Sequence, residues 1–248
     1  MRRRLSLSLS GVVLAAAAAA AQTGGTEGFL NQLDLNFSQY GERMGLSLWA
    51  FNQNMAQAGM GDRHEVVKRG EARIRAGRAN VNYRPLAPTL AEAFAASRSA
   101  DAAKRRELAG VYNENLKRFR DAQRRGGLGE RDVASSLGLA FASYYEIYSG
   151  GRAASPAQER DIVRQFRESL LKNAYFQGTN DRYRQLLDEN TAVQTVASLV
   201  LYRDAVKRGD SAAVEGLRRE ALAFLDFYWP GDEERARRIR LTPAGFRD

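Results

Sequence analysis

Between residues 99 and 230, apolar residues recur every three or four positions in five successive stretches, each closed by a helix-stopping signal. This spacing is typical of amphipathic α-helices. The stretches are residues 101–125, 130–149, 155–178, 181–208 and 210–229, and the stops are Gly126-Gly127, Gly150-Gly151, Gly178, Gly209 and Pro230-Gly231. Connections of about two to six residues favour antiparallel neighbours. We therefore predict an all-α fold, an antiparallel helical bundle of about five main helices.

The part of the chain before this series is irregular and rich in glycine. Apolar residues at helical spacing predict a helix near residues 42–57, and Asp62 with Glu65 indicates the cap of a second helix that ends at about Arg78. Residues 80–88 contain two prolines and are predicted to be extended. Thr89 and Glu92 have the spacing of a capping box and predict a short helix.

The first residues have the pattern of a secretory signal peptide. Three arginines follow Met1, an uncharged run extends from Leu5 to Ala21, and small residues precede Gln22. We divide the chain into a signal peptide (1–21), an irregular N-terminal segment with short helices (22–98), a helical bundle core (99–230) and a C-terminal tail (231–248). We expect an exported protein, periplasmic or secreted, with no transmembrane segment after cleavage of the signal peptide.

Composition excludes several kinds of chemistry. The chain has no cysteine, so disulfides, thiolate metal sites and thiol nucleophiles are excluded. His64 is the only histidine, which excludes sites built from several histidines. Glycine-rich phosphate loops and the common hydrolase and zinc-protease motifs are also missing from the sequence. We therefore assign no catalytic residue, no metal ligand and no cofactor.

The most polar part of the helical region lies in the stretch 181–208. Gln185 and Glu189 are four residues apart, so they share a helix face, and Asn190 falls among the inward apolar positions. A ligand site in the bundle core is one interpretation, and a buried polar network that fixes the register of the helices is the alternative. Tyr145 stands beside the apolar stripe of the stretch 130–149 and is a candidate exposed binding residue.

Eight positive residues lie between Lys104 and Arg125, mainly opposite the apolar stripe of that helix. Such a face is either simply solvated or binds an anionic polymer of the cell envelope. Binding would require these cations to form one patch with the arginines of residues 69–84. Export argues against nucleic acid as the partner, so an envelope protein or an anionic polymer remains the candidate partner.

Residues 63–248 resemble an uncharacterised family of exported bacterial proteins, known as a domain of unknown function. The resemblance rests on several short segments: Ile74–Ala79 leading to Tyr83-Arg84-Pro85, Asp132-Val133-Ala134, Gln185 with Glu189, and Leu241–Phe246. It implies export and a helical domain, and it assigns no activity, ligand or site residue.

Two classes of function follow from the sequence. The favoured one is an exported, non-catalytic helical module that binds a partner or ligand in the cell envelope or outside the cell. The alternative is a carboxylate-dependent hydrolase that acts on glycan or peptide, for which the available acids are Glu146, Glu168, Glu189 and Glu220. A deep pocket that holds Glu189 with a second carboxylate and a raised pKa would favour the enzyme, and pairing of Glu189 with Gln185 between packed helices would favour a structural role.

Overall fold

The computed structural model describes residues 62–228, 240–242 and 245–247. Over residues 62–228 the chain forms eight α-helices, which confirms the all-α prediction. They are α1 Arg63–Arg75, α2 Leu90–Arg98, α3 Ala102–Arg125, α4 Val133–Tyr148, α5 Pro156–Lys172, α6 Ala174–Gly178, α7 Asp181–Arg208 and α8 Ser211–Tyr228. The predicted signal peptide, the predicted helix near 42–57 and most of the predicted tail lie outside the described residues. None of the described helices is long and apolar enough to cross a bilayer.

Four of the five long helices match predicted stretches closely, and the fifth, α5, covers only part of its stretch. The stretch 155–178 was predicted as a single helix, but α5 ends at Lys172 and α6 begins at Ala174. The break is at Asn173, whose backbone leaves the helical region and whose side chain accepts a hydrogen bond from the Phe176 N–H at 2.9 Å. A helix-capping asparagine competes with the helix it interrupts, which explains the division.

Helix starts agree with their sequence signals. Thr89 and Ser155 both form complete capping boxes, with Glu92 and Gln158 respectively. The Asp62 side chain accepts from the His64 N–H at 2.8 Å, as a cap of α1. That helix ends at Arg75 rather than at about residue 78, because Gly77 adopts a left-handed conformation with φ of 65°.

Helix α4 lies at the centre of the described fold and packs against α5, α7 and α8. Fourteen of its sixteen residues are buried. Tyr145, expected to be exposed, is only 6% exposed and its ring meets that of Phe246 edge-on at 5.0 Å. The prediction was wrong because neighbouring helices cover α4 and because Phe246, 101 residues further along the chain, covers Tyr145.

Two close crossings depend on glycine. A Cβ on Gly70 of α1 would lie 1.6 Å from the Ala174 carbonyl oxygen of α6, and one on Gly178 would lie 1.7 Å from the Val66 carbonyl oxygen. A Cβ on Gly138 of α4 would lie 2.6 Å from Val163 Cγ2 of α5. Glycine at these positions lets the helix backbones approach to contact.

The extended prediction for residues 80–88 is confirmed. Between α1 and α2 the chain has no helix, and Asn82 forms an isolated antiparallel bridge with Asp132, just before α4. The Val133 N–H donates to the Val81 carbonyl at 3.1 Å. Residues of the predicted N-terminal segment therefore pack on the helical region: α1 on α6, and α2 on α3.

A short hairpin that the sequence patterns did not predict lies near the end of the chain. Strands β1 (Arg240–Thr242) and β2 (Gly245–Arg247) pair antiparallel, with Leu241 opposite Phe246. Strand β2 packs on α5, and Phe246 is 1% exposed.

Candidate functional site

Helix α7 carries the densest polar cluster of the described residues. Seventeen of its twenty-eight residues are buried, and many of these are polar or charged. Polar groups this deep are stable only when they are hydrogen-bonded. Their partners therefore decide whether the cluster is a functional site or part of the framework.

One part of the cluster is the Asp188 ring, made of Tyr83, Arg120, Gln123, Ser136 and Asp188. The fully buried Asp188 carboxylate accepts from the Tyr83 hydroxyl at 2.5 Å and also from Arg120 and Ser136. Gln123 closes the ring: it accepts from Arg120 Nη1 at 2.8 Å and donates to Ser136 Oγ at 3.1 Å. The ring thus joins α3, α4, α7 and the extended segment before α2.

The electrostatics of the ring favour a charged Arg120–Asp188 pair. Burial acts to lower the pKa of Arg120, but the adjacent Asp188 carboxylate outweighs it, so the pKa is raised. Burial, reinforced by the negative charge of Asp188, also raises the pKa of Tyr83, which keeps the phenol protonated as a donor. The charges of Arg120 and Asp188 therefore compensate each other, and both side chains are hydrogen-bonded within the ring.

The predicted pair of Gln185 and Glu189 also forms. Gln185 Nε2 donates to Glu189 Oε1 at 2.8 Å, and the other carboxylate oxygen accepts from the Leu90 N–H at 2.8 Å, in the first turn of α2. Burial raises the pKa of Glu189, while the bonds from Gln185 and Leu90 act in the opposite direction. Both oxygens of the carboxylate are occupied by donors of this chain.

A second buried cation, Arg184, is held by neutral groups. Its guanidinium donates to oxygens of the extended segment and of α6, including Asn80 Oδ1 at 2.8 Å and the Asn82 carbonyl at 3.0 Å. It also lies over the Phe176 ring, 4.6 Å from the centroid. Burial and the nearby Arg73 lower the pKa of Arg184 to about 10.

Three glutamines share one geometry, and we call them the amide tethers. In each, the side-chain amide accepts from the N–H and donates to the carbonyl of a single residue in a non-helical segment. The pairs are Gln165 with Phe246, Gln177 with Asn80, and Gln185 with Leu86. The six N···O distances lie between 2.8 and 3.2 Å. The tethers hold the extended segment and the hairpin to the helices through main-chain atoms.

The four sequence-predicted binding residues do not form one site. Gln185 and Glu189 are in contact, and Asn190 is 4% exposed on the same helix. Tyr145 is separate from them, beneath the hairpin. Their proposed role in binding stays a prediction.

The contact between Arg120 and Asp188 does not follow from the sequence pattern, which predicts that the cations of α3 lie mainly on the outer face. Seven of the eight are exposed, but Arg120 is turned inward. A signal was present: the apolar stripe at positions 112, 116 and 119 continues to Gln123, a polar residue at a core position.

The positions of the Asp188 and Glu189 carboxylates do not favour paired-carboxylate chemistry. Asp188 and Glu189 are sequential, so on a helix they point in different directions, and each is engaged by its own set of donors. Among the described residues, no group of three or more acidic or histidine side chains is placed to hold a metal ion.

Comparison with known proteins gives one match. A family model described as a family of unknown function, DUF6683, matches residues 12–247. The match is wider than the resemblance seen in the sequence and includes residues 22–62. No curated protein and no solved structure matches the chain.

Proposed function

The chain belongs to DUF6683, a family of unknown function, and from its geometry we propose that it is an exported, non-catalytic helical module that binds a partner in the cell envelope or outside the cell. Export rests on the pattern of residues 1–21. The non-catalytic role rests on how the described polar core is used.

One observation carries the proposal: the carboxylates of the α7 cluster are engaged by donors of the chain itself. The Glu189 carboxylate accepts hydrogen bonds from Gln185 and the Leu90 N–H. The Asp188 carboxylate accepts hydrogen bonds from Tyr83, Arg120 and Ser136. A general acid or nucleophile needs a lone pair or proton directed at substrate. These groups instead fasten helices and the extended segment together.

The alternative, a carboxylate-dependent hydrolase acting on glycan or peptide, has one feature in its favour. The pKa of Glu189 is raised by burial, as is common for catalytic acids. Structural networks raise pKa values for the same reason, and here the carboxylate closes a contact between α7 and the start of α2. We therefore favour the structural role.

The substitution Asp188→Asn tests, without knowledge of a substrate, whether the carboxylate of Asp188 serves the framework, which is the observation that carries the proposal. If Asp188 is part of the framework, loss of its charge leaves Arg120 buried without a counter-ion, and the free energy of unfolding falls by about 3–5 kcal/mol. Replacement of a strained active-site group commonly leaves stability unchanged or higher. Urea unfolding followed by circular dichroism measures the difference.

The matched control is Asp204→Asn on the same helix, whose carboxylate pairs with Arg208 at the surface. We expect this control to change stability by less than about 1 kcal/mol. Equal effects of the two substitutions, or a stable Asp188→Asn variant, would contradict the framework role and favour the hydrolase.

Export is tested by expression in a bacterial host, followed by fractionation and intact-mass analysis. The proposal expects a protein that begins at Gln22 in the periplasm or medium. A chain that retains Met1 in the cytosol or in washed membranes would contradict it.

A further inference from the structure

We propose that the surface formed by α4 and α5 is a binding site for a peptide segment with an aromatic residue, and that the hairpin strands β1 and β2 of this chain occupy it intramolecularly. This inference deepens the proposed function, on which it rests, by naming the class of partner. The partner is a polypeptide whose segment makes the contacts that the hairpin makes here. We call the surface the α4/α5 groove, defined by Phe141, Tyr145, Gln158 and Gln165.

The first argument is the aromatic anchor. Phe246 is 1% exposed, and its ring meets Phe141 of α4 edge-on at 4.7 Å between centroids, and Tyr145 at 5.0 Å. The ring of Phe166 in α5 also meets the Phe141 ring edge-on, at 5.5 Å between centroids. Edge-to-face contacts of this kind select an aromatic ring over an aliphatic side chain.

The second argument is that α5 contacts the main chain of the segment. Gln165 binds both the N–H and the carbonyl of Phe246, each at 3.2 Å, and Gln158 Nε2 donates to the Thr242 carbonyl at 3.3 Å. The two glutamines are seven residues apart, so they share a face of α5. Main-chain bonds supply affinity independent of sequence, and the ring pocket supplies specificity, as in other modes of peptide recognition.

The third argument is that the occupant depends on the groove. The hairpin has strands of only three residues, and an isolated two-stranded hairpin is at best marginally stable in water. Its docked conformation is therefore maintained by the contacts with α4 and α5. A segment held in this way can be displaced by a competitor that makes the same contacts.

The intramolecular occupant sets the affinity that a partner must reach. The hairpin belongs to the same chain as the groove, and tethered segments reach effective concentrations on the order of 1 mM. A partner therefore binds the α4/α5 groove weakly unless the contacts between the groove and the hairpin of the same chain are weakened. Substitution of the anchor is expected to increase the affinity for an added peptide by about tenfold or more.

The test uses the full chain and a synthetic peptide with the sequence of residues 240–247. Isothermal calorimetry is performed with the wild type, with Phe246→Ala, and with Phe246→Ala combined with Gln165→Ala. We expect Phe246→Ala to bind the peptide at least about tenfold more tightly than the wild type. The double variant, and a peptide in which the phenylalanine is replaced by alanine, are expected to lose this binding.

The matched control is Phe119→Ala, which removes an equally buried ring from a different cluster, formed with Leu139 and Ala192. It should bind the peptide no better than the wild type. Equal binding by this control, or no gain in Phe246→Ala, would overturn the proposal. Should Phe246→Ala fail to fold, Phe246→Leu tests the same point, because it weakens the anchor but keeps the pocket filled.

Failure of this inference is distinguishable from failure of the proposed function. A groove that does not bind the peptide leaves the result for Asp188→Asn unchanged, and the module would then use another surface. A stable Asp188→Asn variant would contradict the framework role of Asp188, from which the non-catalytic role is argued, whatever the peptide does.

Discussion

Asp188 illustrates how a buried charge becomes part of the framework. A carboxylate removed from water is tolerated only when a counter-ion and further donors compensate it. Arg120 supplies the counter-ion, and Tyr83 and Ser136 supply the donors. The residue next to it, Glu189, accepts hydrogen bonds from Gln185 and the Leu90 N–H, and burial raises its pKa.

We predict that the stability difference between the wild type and Glu189→Gln depends on pH. Because burial raises the pKa of Glu189 above its ordinary 4.5 in the native state, the native state binds the proton more tightly than the unfolded chain. The resulting stabilisation is fully present below pH 4.5 and is lost as pH rises through the native pKa. The wild type should therefore gain stability relative to the variant as the pH falls from 8 to 4.5.

Urea unfolding at several pH values, with both proteins measured in the same buffers, checks this. The comparison between the two proteins cancels the titration of all other groups. A difference that instead shifts in favour of the wild type as pH rises would mean that the hydrogen bonds from Gln185 and Leu90 dominate over burial.

Among the elements, the crossing of α1 and α6 shows how glycine fixes a contact. Gly70→Ala would push a methyl group into the backbone of Ala174, and since backbone atoms cannot turn aside, the helices must separate. We expect a loss of about 1–3 kcal/mol in the free energy of unfolding. Thermal and urea unfolding provide the measurement.

Gly110→Ala in α3 is the matched control for the same change. A Cβ there meets nothing within 4 Å, so alanine only improves helix propensity and should raise stability by up to about 1 kcal/mol. A loss of stability in Gly70→Ala and a gain in Gly110→Ala would support the close crossing of α1 and α6. A neutral Gly70→Ala would show that α1 can move away from α6 at little cost.

Helix limits were the part of the fold most accessible from sequence. Thr89 and Ser155 fixed two starts because a cap is a local interaction between residues three apart. The break at Asn173 was missed because the apolar periodicity continues across it. The hairpin was missed because its two short strands are stabilised by α5, about 80 residues away in sequence.

The same distinction applies to the candidate site. The bond between Gln185 and Glu189 follows from their spacing on one helix, and it was predicted. The contacts of Asp188 with Tyr83 and Arg120 span 105 and 68 residues, and no local pattern encodes them. The pattern of its own helix predicts an exposed Tyr145, whereas distant residues, Phe246 among them, cover it.

At the scale of the whole molecule, α4 is the element on which the described helices converge. It contacts α5, α7 and α8, and it is joined to the extended segment by the bridge at Asp132. Local opening requires few contacts to be broken at the periphery but many at the centre. Protection against exchange should therefore decrease outward from α4.

We predict that amide hydrogen exchange is slowest in α4 and in the buried part of α7, residues 183–198. The hairpin strands and the first turn of α2 should exchange at least about tenfold faster, because fewer buried contacts hold them. Mass spectrometry of peptic fragments measures the rates. Faster exchange in α4 than in α1 would contradict the central position assigned to it.

The amide tethers have a practical consequence. Because Gln185 holds the backbone of Leu86, the Leu86 side chain, 42% exposed, is not needed for the contact. The chain contains no cysteine, so Leu86→Cys would introduce a single thiol at which a fluorescent or spin label can be attached. Such a label would sit on an anchored stretch of backbone outside helical structure, and its motion would report directly on whether that stretch detaches from the core.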